Sequence, residues 1–169
     1  VPIKYYVDKR SQTVALIYGS LGIVQFLHIL CEIPLNKKTE IAFIPTIIKN
    51  SNNTIKYCFL RGLADTDFSV VFQNRTGKGH NYPVIKGRFK SKSVVQDLEE
   101  LFVNLEFKHT VCYDLVAYDK RFGKTIINSI QLYGRKNFKK WIENIGFSNH
   151  KFIRKIEKWQ KDGVCPPGY

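Results

Sequence analysis

The chain has 169 residues, of which 44% are hydrophobic, enough for one domain with a packed core. Lys and Arg number 27 against 14 Asp and Glu, and the resulting net charge of +13 predicts a polyanionic partner. A membrane is not expected as that partner, because no apolar run is long enough to cross a bilayer and no basic helix has a clean apolar face with aromatic anchors.

The first third of the chain predicts a hairpin, a helix and a linker. Residues 3–7 and 13–18 are short apolar runs around a polar turn, which is typical of a β-hairpin. Residues 20–30 carry apolar side chains at helical spacing, and Pro34 ends that helix. Residues 36–53 are mostly polar and are interpreted as a linker.

The rest of the chain predicts alternating helices and strands. A helix at 54–65 is followed by strands at 69–74 and 84–90, a helix at 93–105 with Ser93 and Gln96 as a capping box, strands at 110–118 and 125–133, a helix at 136–145 and a basic helix at 151–160. This order predicts an α+β fold, with one antiparallel sheet and helices on one of its faces. The other face must meet water or a ligand.

The cysteines indicate the compartment. Cys31, Cys58, Cys112 and Cys165 are far apart and contain no C-x-x-C pair, which disfavours both zinc and a disulfide framework. Reduced thiols fit a cytoplasmic protein. Cys58 and Cys112 fall inside apolar patterns, so we expect them in the core.

One predicted strand alternates cations with apolar residues. Lys86, Arg88 and Lys90 fall on one face of it, and a solvated face would usually mix both charge signs. Such a ribbon can read base edges in the major groove, while Lys78, His80 and helix ends contact phosphates. The predicted DNA-binding residues are Ser69, Gln73, Arg75, Lys78, His80, Lys86, Arg88, Lys90, Ser91 and Arg135.

Residues 60–68 read LRGLADTDF, at the passage from a helix into a strand. Gly62 has no side chain, so a partner helix can approach its backbone. Asp65 and Asp67 fall at the helix C-terminus, where the partial negative charge disfavours carboxylates unless a cation offsets them. Carboxylate oxygens suit Mg²⁺, which binds one or two carboxylates together with phosphate oxygens.

This segment resembles the LAGLIDADG motif of homing endonucleases and intein endonuclease domains, and the elements over 54–147 resemble the unit of that family. The resemblance implies an αββαββα unit whose sheet forms a DNA-binding saddle, and Mg²⁺-dependent, site-specific hydrolysis of double-stranded DNA. By motif position Asp67 is the catalytic metal ligand and Asp65 the less constrained acidic ligand. Lys136 would assist catalysis, and Ser91 would hold a water nearby.

Phe68 departs from the motif, which ends in Gly at this position. Glycine commonly supplies the backbone angles for leaving a helix. We therefore expect either a different helix exit or a crowded site, and cleavage is less firmly implied than DNA binding.

A short internal repeat indicates an earlier copy of the unit. Residues 16–19 (LIYG) precede a predicted helix, as do residues 131–134 (QLYG), 115 positions later. We divide the chain into the truncated end of a first unit (1–35), a linker (36–53), a complete unit (54–148) and a C-terminal helix and tail (149–169). Residues 146–149 and 165–167 resemble the tails of archaeal members. With one motif present, the second unit would come from a homodimer or a missing N-terminal half.

Two alternatives stay open. One is a catalytically inactive descendant that binds nucleic acid as a maturase or regulator, which Phe68 and the truncated first unit favour. The other is a basic accessory protein bound to RNA. That protein would expose aromatic side chains on the sheet, and the predicted outer face has few.

Overall fold

The computed structural model describes residues 4–8, 13–17, 19–34, 41–75, 77, 79–119 and 123–169. Its elements are β1 (Lys4–Asp8), β2 (Thr13–Ile17), α1 (Leu21–Gln25) with a π-helical turn (Phe26–Leu30), α2 (Thr46–Lys49), α3 (Asn53–Asp67), β3 (Phe68–Gln73), β4 (Tyr82–Phe89), α4 (Lys92–Asn104), β5 (His109–Asp119), β6 (Gly123–Tyr133), α5 (Gly134–Asn144) and α6 (His150–Asp162). None of the helices in these ranges combines the length and apolar character needed to cross a membrane.

The region from α3 to α5 has the predicted order αββαββα, and the α+β fold class is confirmed. Strands β3 to β6 form one antiparallel sheet in the order β3-β4-β6-β5. Helices α4 and α5 pack against the sheet, and the core between them contains Val70, Ile85, Ile130, Leu132 and Trp141. The apolar side of each strand therefore faces the helices, and the opposite side carries mostly polar and partly exposed side chains.

Helix α3 passes directly into β3 at Phe68. The backbone of Phe68 is extended, with φ −100° and ψ 163°, angles that any residue adopts. The sequence predicted either a different helix exit or a crowded site at this position. The structure has the different exit, and no glycine is required there. The Phe68 ring is buried against Phe89 and Trp141, with centroid distances of 5.8 and 5.6 Å. It also covers Gly87, where an added Cβ would come within 2.9 Å of the ring.

Ser91, rather than Ser93, caps helix α4. Its Oγ accepts a hydrogen bond from the backbone N–H of Val94 at 3.3 Å and donates one to the carbonyl of Ala42. The predicted capping box at Ser93 and Gln96 is therefore wrong. Ser91 is only 2% exposed and its hydroxyl is engaged in these two bonds, which favours a structural role over a direct contact to DNA, although the residue borders the same cleft as Asp67.

The predicted linker is in part ordered against α4. Ile44 is buried, and its backbone N–H donates to the carboxylate of Asp97 at 2.8 Å. Lys49, at the end of α2, pairs with the same carboxylate at 3.0 Å. The second half of this stretch is therefore packed on the unit, which corrects the interpretation of 36–53 as a linker, while residues 35–40 lie outside the described part of the chain.

The N-terminal hairpin and helix lie where the sequence predicts them. Strand β1 pairs with β2 from Lys4 opposite Ile17 to Asp8 opposite Thr13, and the Ser20 hydroxyl caps α1 through the N–H of Ile23 at 3.4 Å. None of residues 21–30 is buried, and their large apolar side chains are 38–74% exposed. This helical segment thus presents an open apolar surface.

Candidate nucleic-acid interface

The strand register gathers polar and cationic side chains on the sheet face turned away from the helices. Lys86 stands opposite Ser69 on β3 and Gln131 on β6, and Arg88 stands opposite Ser129. Paired residues of antiparallel strands point to the same side, so these residues share one surface. Up to the irregularity after Cys112, this outer face comprises Ser69, Val71, Gln73, Tyr82, Val84, Lys86, Arg88, Thr110, Cys112, Ser129, Gln131 and Tyr133, of which Val84 and Ser129 are buried and none is acidic. Beyond it, the register continues the same side through Leu115, Ala117 and Asp119 on β5.

The centre of the outer face is electropositive. Partial burial and the neighbouring charge of Arg88 lower the pKa of Lys86 below its ordinary value. Two cations held side by side on one strand repel each other, and an approaching polyanion would relieve that repulsion. Lys90, the third predicted cation, lies just beyond the end of β4 and is exposed.

Arg75 folds back over the outer face from the turn after β3. Its guanidinium carbon lies 3.9 Å from the ring centroid of Tyr82 and 5.1 Å from that of Tyr133. Its Nε donates to the Gln73 side-chain oxygen at 3.1 Å. The Tyr133 hydroxyl donates to the Gln131 side-chain oxygen at 2.7 Å, so five side chains from three neighbouring segments form one cluster.

His80 has a structural contact in place of the predicted phosphate contact. Its Nδ1 donates to the carbonyl of Phe72 at 2.9 Å. Phe72 stands opposite Pro83, which has no N–H to offer the sheet. The imidazole thus supplies a donor where the central strand lacks one. Lys78 lies outside the described residues.

Asp67 lies at one end of the outer face. Its carboxylate is exposed and accepts a hydrogen bond from the Thr66 hydroxyl at 2.8 Å. It lines an open cleft of about 470 Å³ together with Arg88 and Lys90. A carboxylate and two cations therefore share one solvent-accessible cleft beside the sheet.

Asp65 points away to a different part of the fold. Its carboxylate accepts hydrogen bonds from the backbone N–H groups of Ser148, at 2.9 and 3.1 Å, and Asn149, at 3.0 Å. Both oxygens are thereby engaged, which favours a structural role over the predicted metal ligand. Among the described residues, no group of three or more His, Cys, Asp or Glu side chains is arranged to hold a metal ion.

Lys136 is not brought to Asp67. Helix α3 ends beside the pair Phe68–Gly87, whereas α5 begins beside the pair Val84–Tyr133, three residues and about 10 Å away along β4. Trp141, near the other end of α5, contacts the Phe68 ring. The register therefore does not favour Lys136 as the partner of Asp67, and its role in catalysis stays a prediction.

Arg135, predicted to bind DNA, lies in the helix layer. Its guanidinium carbon is 5.6 Å from the ring centroid of Trp159 on α6. It therefore lies apart from the outer face and from the cleft of Asp67. Sequence reasoning missed Tyr82, Gln131 and Tyr133, although the alternation along β6 could have revealed the last two.

One face of α3 is open. A Cβ added to Gly62 would meet nothing within 4 Å, and Ile55, Cys58 and Thr66 are exposed on the same side. The opposite side carries the buried Leu60 and Ala64. The prediction of Cys58 in the core is wrong, and Cys112 is only half-buried, on the outer face.

Comparison with known proteins adds no assignment. No protein-family model matches the sequence, and no curated protein matches it. What the surface can do chemically follows from its residues: the outer face suits a polyanion, and the cleft suits a phosphate next to a carboxylate.

Proposed function

We propose that this chain is a DNA-binding unit of the LAGLIDADG homing-endonuclease type that hydrolyses double-stranded DNA at specific sites with Mg²⁺. The observation that carries the proposal is the part of the outer face on β3 and β4, where Lys86 and Arg88 have no acidic neighbour on the same side, next to the cleft that Asp67 lines together with Arg88 and Lys90. The proposed binding surface and the proposed metal-binding carboxylate would thereby be adjacent, as a nuclease requires.

Charge and shape support DNA as the polyanion. The net charge is +13, and the outer face displays cations beside amide and hydroxyl groups. Such side chains on a ribbon can enter the major groove, where each base pair presents a distinct set of donors and acceptors. Tyr82 also lies on this face, but the Arg75 guanidinium covers its ring, which favours DNA over base stacking by single-stranded RNA.

The cleft fits one carboxylate ligand of a hard cation. Asp67 is exposed, and Mg²⁺ needs only one or two carboxylates when phosphate oxygens and waters complete its coordination. Mg²⁺ held by Asp67 would supply Lewis acidity toward the scissile phosphate. Arg88 and Lys90 would orient the phosphate and offset its charge. Lys90 thus takes the assisting role first expected for Lys136.

A second unit would supply the second carboxylate. The open face of α3 around Gly62 allows close approach of another helix, from a second copy of the chain or from another unit of this type. The exposed apolar residues of the α1 segment are a further surface for such a partner.

The test begins with selection of bound duplexes from a random pool, followed by incubation of the selected DNA with Mg²⁺. We expect strand cleavage by the wild type, loss of cleavage with retained binding in Asp67→Asn, and a strong reduction in Lys90→Met. Glu100→Gln and Lys136→Met are the matched controls and should cleave normally. Affinity should fall steeply with salt.

Cleavage that survives in Asp67→Asn would contradict the assigned role of Asp67. Binding of specific duplexes without cleavage by the wild type would instead support the alternative function, a catalytically inactive nucleic-acid-binding protein that acts as a maturase or regulator. Preferential binding of single-stranded RNA would contradict both.

A further inference from the structure

We infer that Arg75 is a preorganised guanine reader, whose fixed guanidinium determines specificity at one position of the bound DNA. The inference rests on the proposed binding of double-stranded DNA by the outer face. It does not require that the protein cleaves DNA, and it concerns the opposite end of β4 from Asp67.

The guanidinium is held in place before any ligand arrives. Stacking on Tyr82 at 3.9 Å fixes its plane, and the bond from Nε to Gln73 at 3.1 Å fixes its rotation within that plane. Tyr133 borders it at 5.1 Å. An exposed arginine would otherwise lose considerable side-chain freedom on binding, so this cluster lowers the entropic cost of a contact.

The remaining donors of Arg75 suit a bidentate acceptor. With Nε engaged, the two terminal nitrogens form an end-on pair, and they have no acceptor among the described residues. No described carboxylate pairs with this arginine either. Two parallel N–H donors match the O6 and N7 atoms of guanine in the major groove.

The position favours a base over a phosphate. The guanidinium lies against the rings of Tyr82 and Tyr133, two residues of the outer face, with Gln73 bonded to its Nε and Gln131 bonded to Tyr133. Both glutamine amides can themselves contact base edges. A phosphate would bind through the positive charge of Arg75 whatever the orientation of the guanidinium. A base edge, by contrast, requires the plane of the guanidinium to be fixed.

The experiment compares sequence preferences after selection from a random duplex pool. Wild type, Arg75→Ala and Arg75→Lys are tested in parallel, with Arg135→Ala as the matched control because Arg135 lies in the helix layer. We expect one strongly preferred guanine for the wild type. Both Arg75 variants should lose about 5- to 150-fold discrimination at that position only, and Arg135→Ala should retain it.

A Tyr82→Phe variant keeps the stacked ring and should keep the guanine preference, which separates the inference from a loss of folding. Equal weakening of all duplexes by Arg75→Ala would indicate a phosphate contact and overturn the inference while leaving DNA binding intact. An unchanged preference in Arg75→Ala would overturn it as well. If the wild type enriches no duplex, the proposed function fails, and the inference fails with it.

Discussion

Arg61 and Asp65, one helical turn apart on α3, hold the two ends of the same connection between α5 and α6. The Arg61 Nε donates to the carbonyl of Ile145, and the Asp65 carboxylate accepts from the N–H groups of Ser148 and Asn149. The positive charge of Arg61 thus lies at the C-terminal end of α5, and the negative charge of Asp65 lies at the N-terminal end of α6. Both placements agree with the partial charges of helix ends. This pair joins the motif helix to the C-terminal part of the chain.

The first prediction concerns Asp65. Asp65→Ala should lower the free energy of unfolding by about 1–3 kcal/mol, because backbone donors before α6 lose a charged acceptor. Asp67→Asn, whose carboxylate bonds only the neighbouring Thr66 side chain among the described residues, should change it little. Urea denaturation of the two variants measures the difference, and equal stability would contradict the structural role of Asp65.

A second prediction concerns the motif position that is Phe68 here. Phe68→Gly, which restores the motif glycine, should destabilise the protein by about 3–5 kcal/mol because a buried ring is removed. Gly87→Ala should cost about 1–3 kcal/mol, since the new methyl group would collide with the Phe68 and Phe89 rings. The double variant Phe68→Leu with Gly87→Ala should lose less free energy of unfolding than the sum of the two single variants. A double-mutant cycle measures this difference.

His80 provides a third prediction. His80→Ala should destabilise by about 1 kcal/mol, because the carbonyl of Phe72 loses its donor opposite Pro83. His150→Ala, on an exposed position at the start of α6, is the matched control and should be neutral. Thermal unfolding compares them. A neutral His80→Ala together with weaker DNA binding would restore the phosphate contact first expected from the sequence.

Tyr113 gives a prediction about pH. Burial and the hydrogen bond to Glu99 raise the pKa of Tyr113 from 10.0 to about 12. Between pH 10.0 and about 12, the unfolded chain releases the Tyr113 proton while the folded protein keeps it. The contribution of Tyr113 to stability is therefore full below pH 10.0 and is lost as the pH rises toward about 12. Tyr113→Phe should flatten this decline in urea titrations, whereas Tyr118→Phe, an exposed control, should not.

The last prediction tests the open face of α3. If two copies pair through this face, a short bismaleimide cross-linker should join two chains through Cys58, and Cys58→Ser should abolish the product. Gly62→Leu should also reduce it, because the added side chain keeps the helices apart. Cross-linking that persists in Cys58→Ser, or chains that stay monomeric at high concentration, would contradict the homodimer.

Much of the fold was predictable because the local patterns are strong. Alternation along β3 and β4 gave the strands and correctly assigned Lys86 and Arg88 to one face. The order of elements gave the antiparallel sheet with helices on one side. These features depend on residues close in sequence, where periodicity and steric preferences act directly.

The errors came from long-range relationships. The partners of Asp65 lie more than 80 residues away, and nothing near the motif indicates them. The distance between Asp67 and Lys136 depends on β4 pairing with β6, which the order of elements does not specify. Cys58 was expected in the core but is exposed. Helix α3 has apolar residues on two of its faces, and periodicity alone does not show which of the two packs against the core. The structural role of Ser91 could not be predicted, because its acceptor, the Ala42 carbonyl, lies in the segment interpreted as a linker.

The length of the second hairpin has a consequence for selectivity. Strands β5 and β6 have eleven residues each, which corresponds to about 34 Å and hence to one turn of B-form DNA, roughly ten base pairs. If the sheet follows the major groove as proposed, two units side by side would contact roughly twenty base pairs. A sequence of that length is rare in any genome, so modest preferences at individual bases would suffice to make the bound site nearly unique.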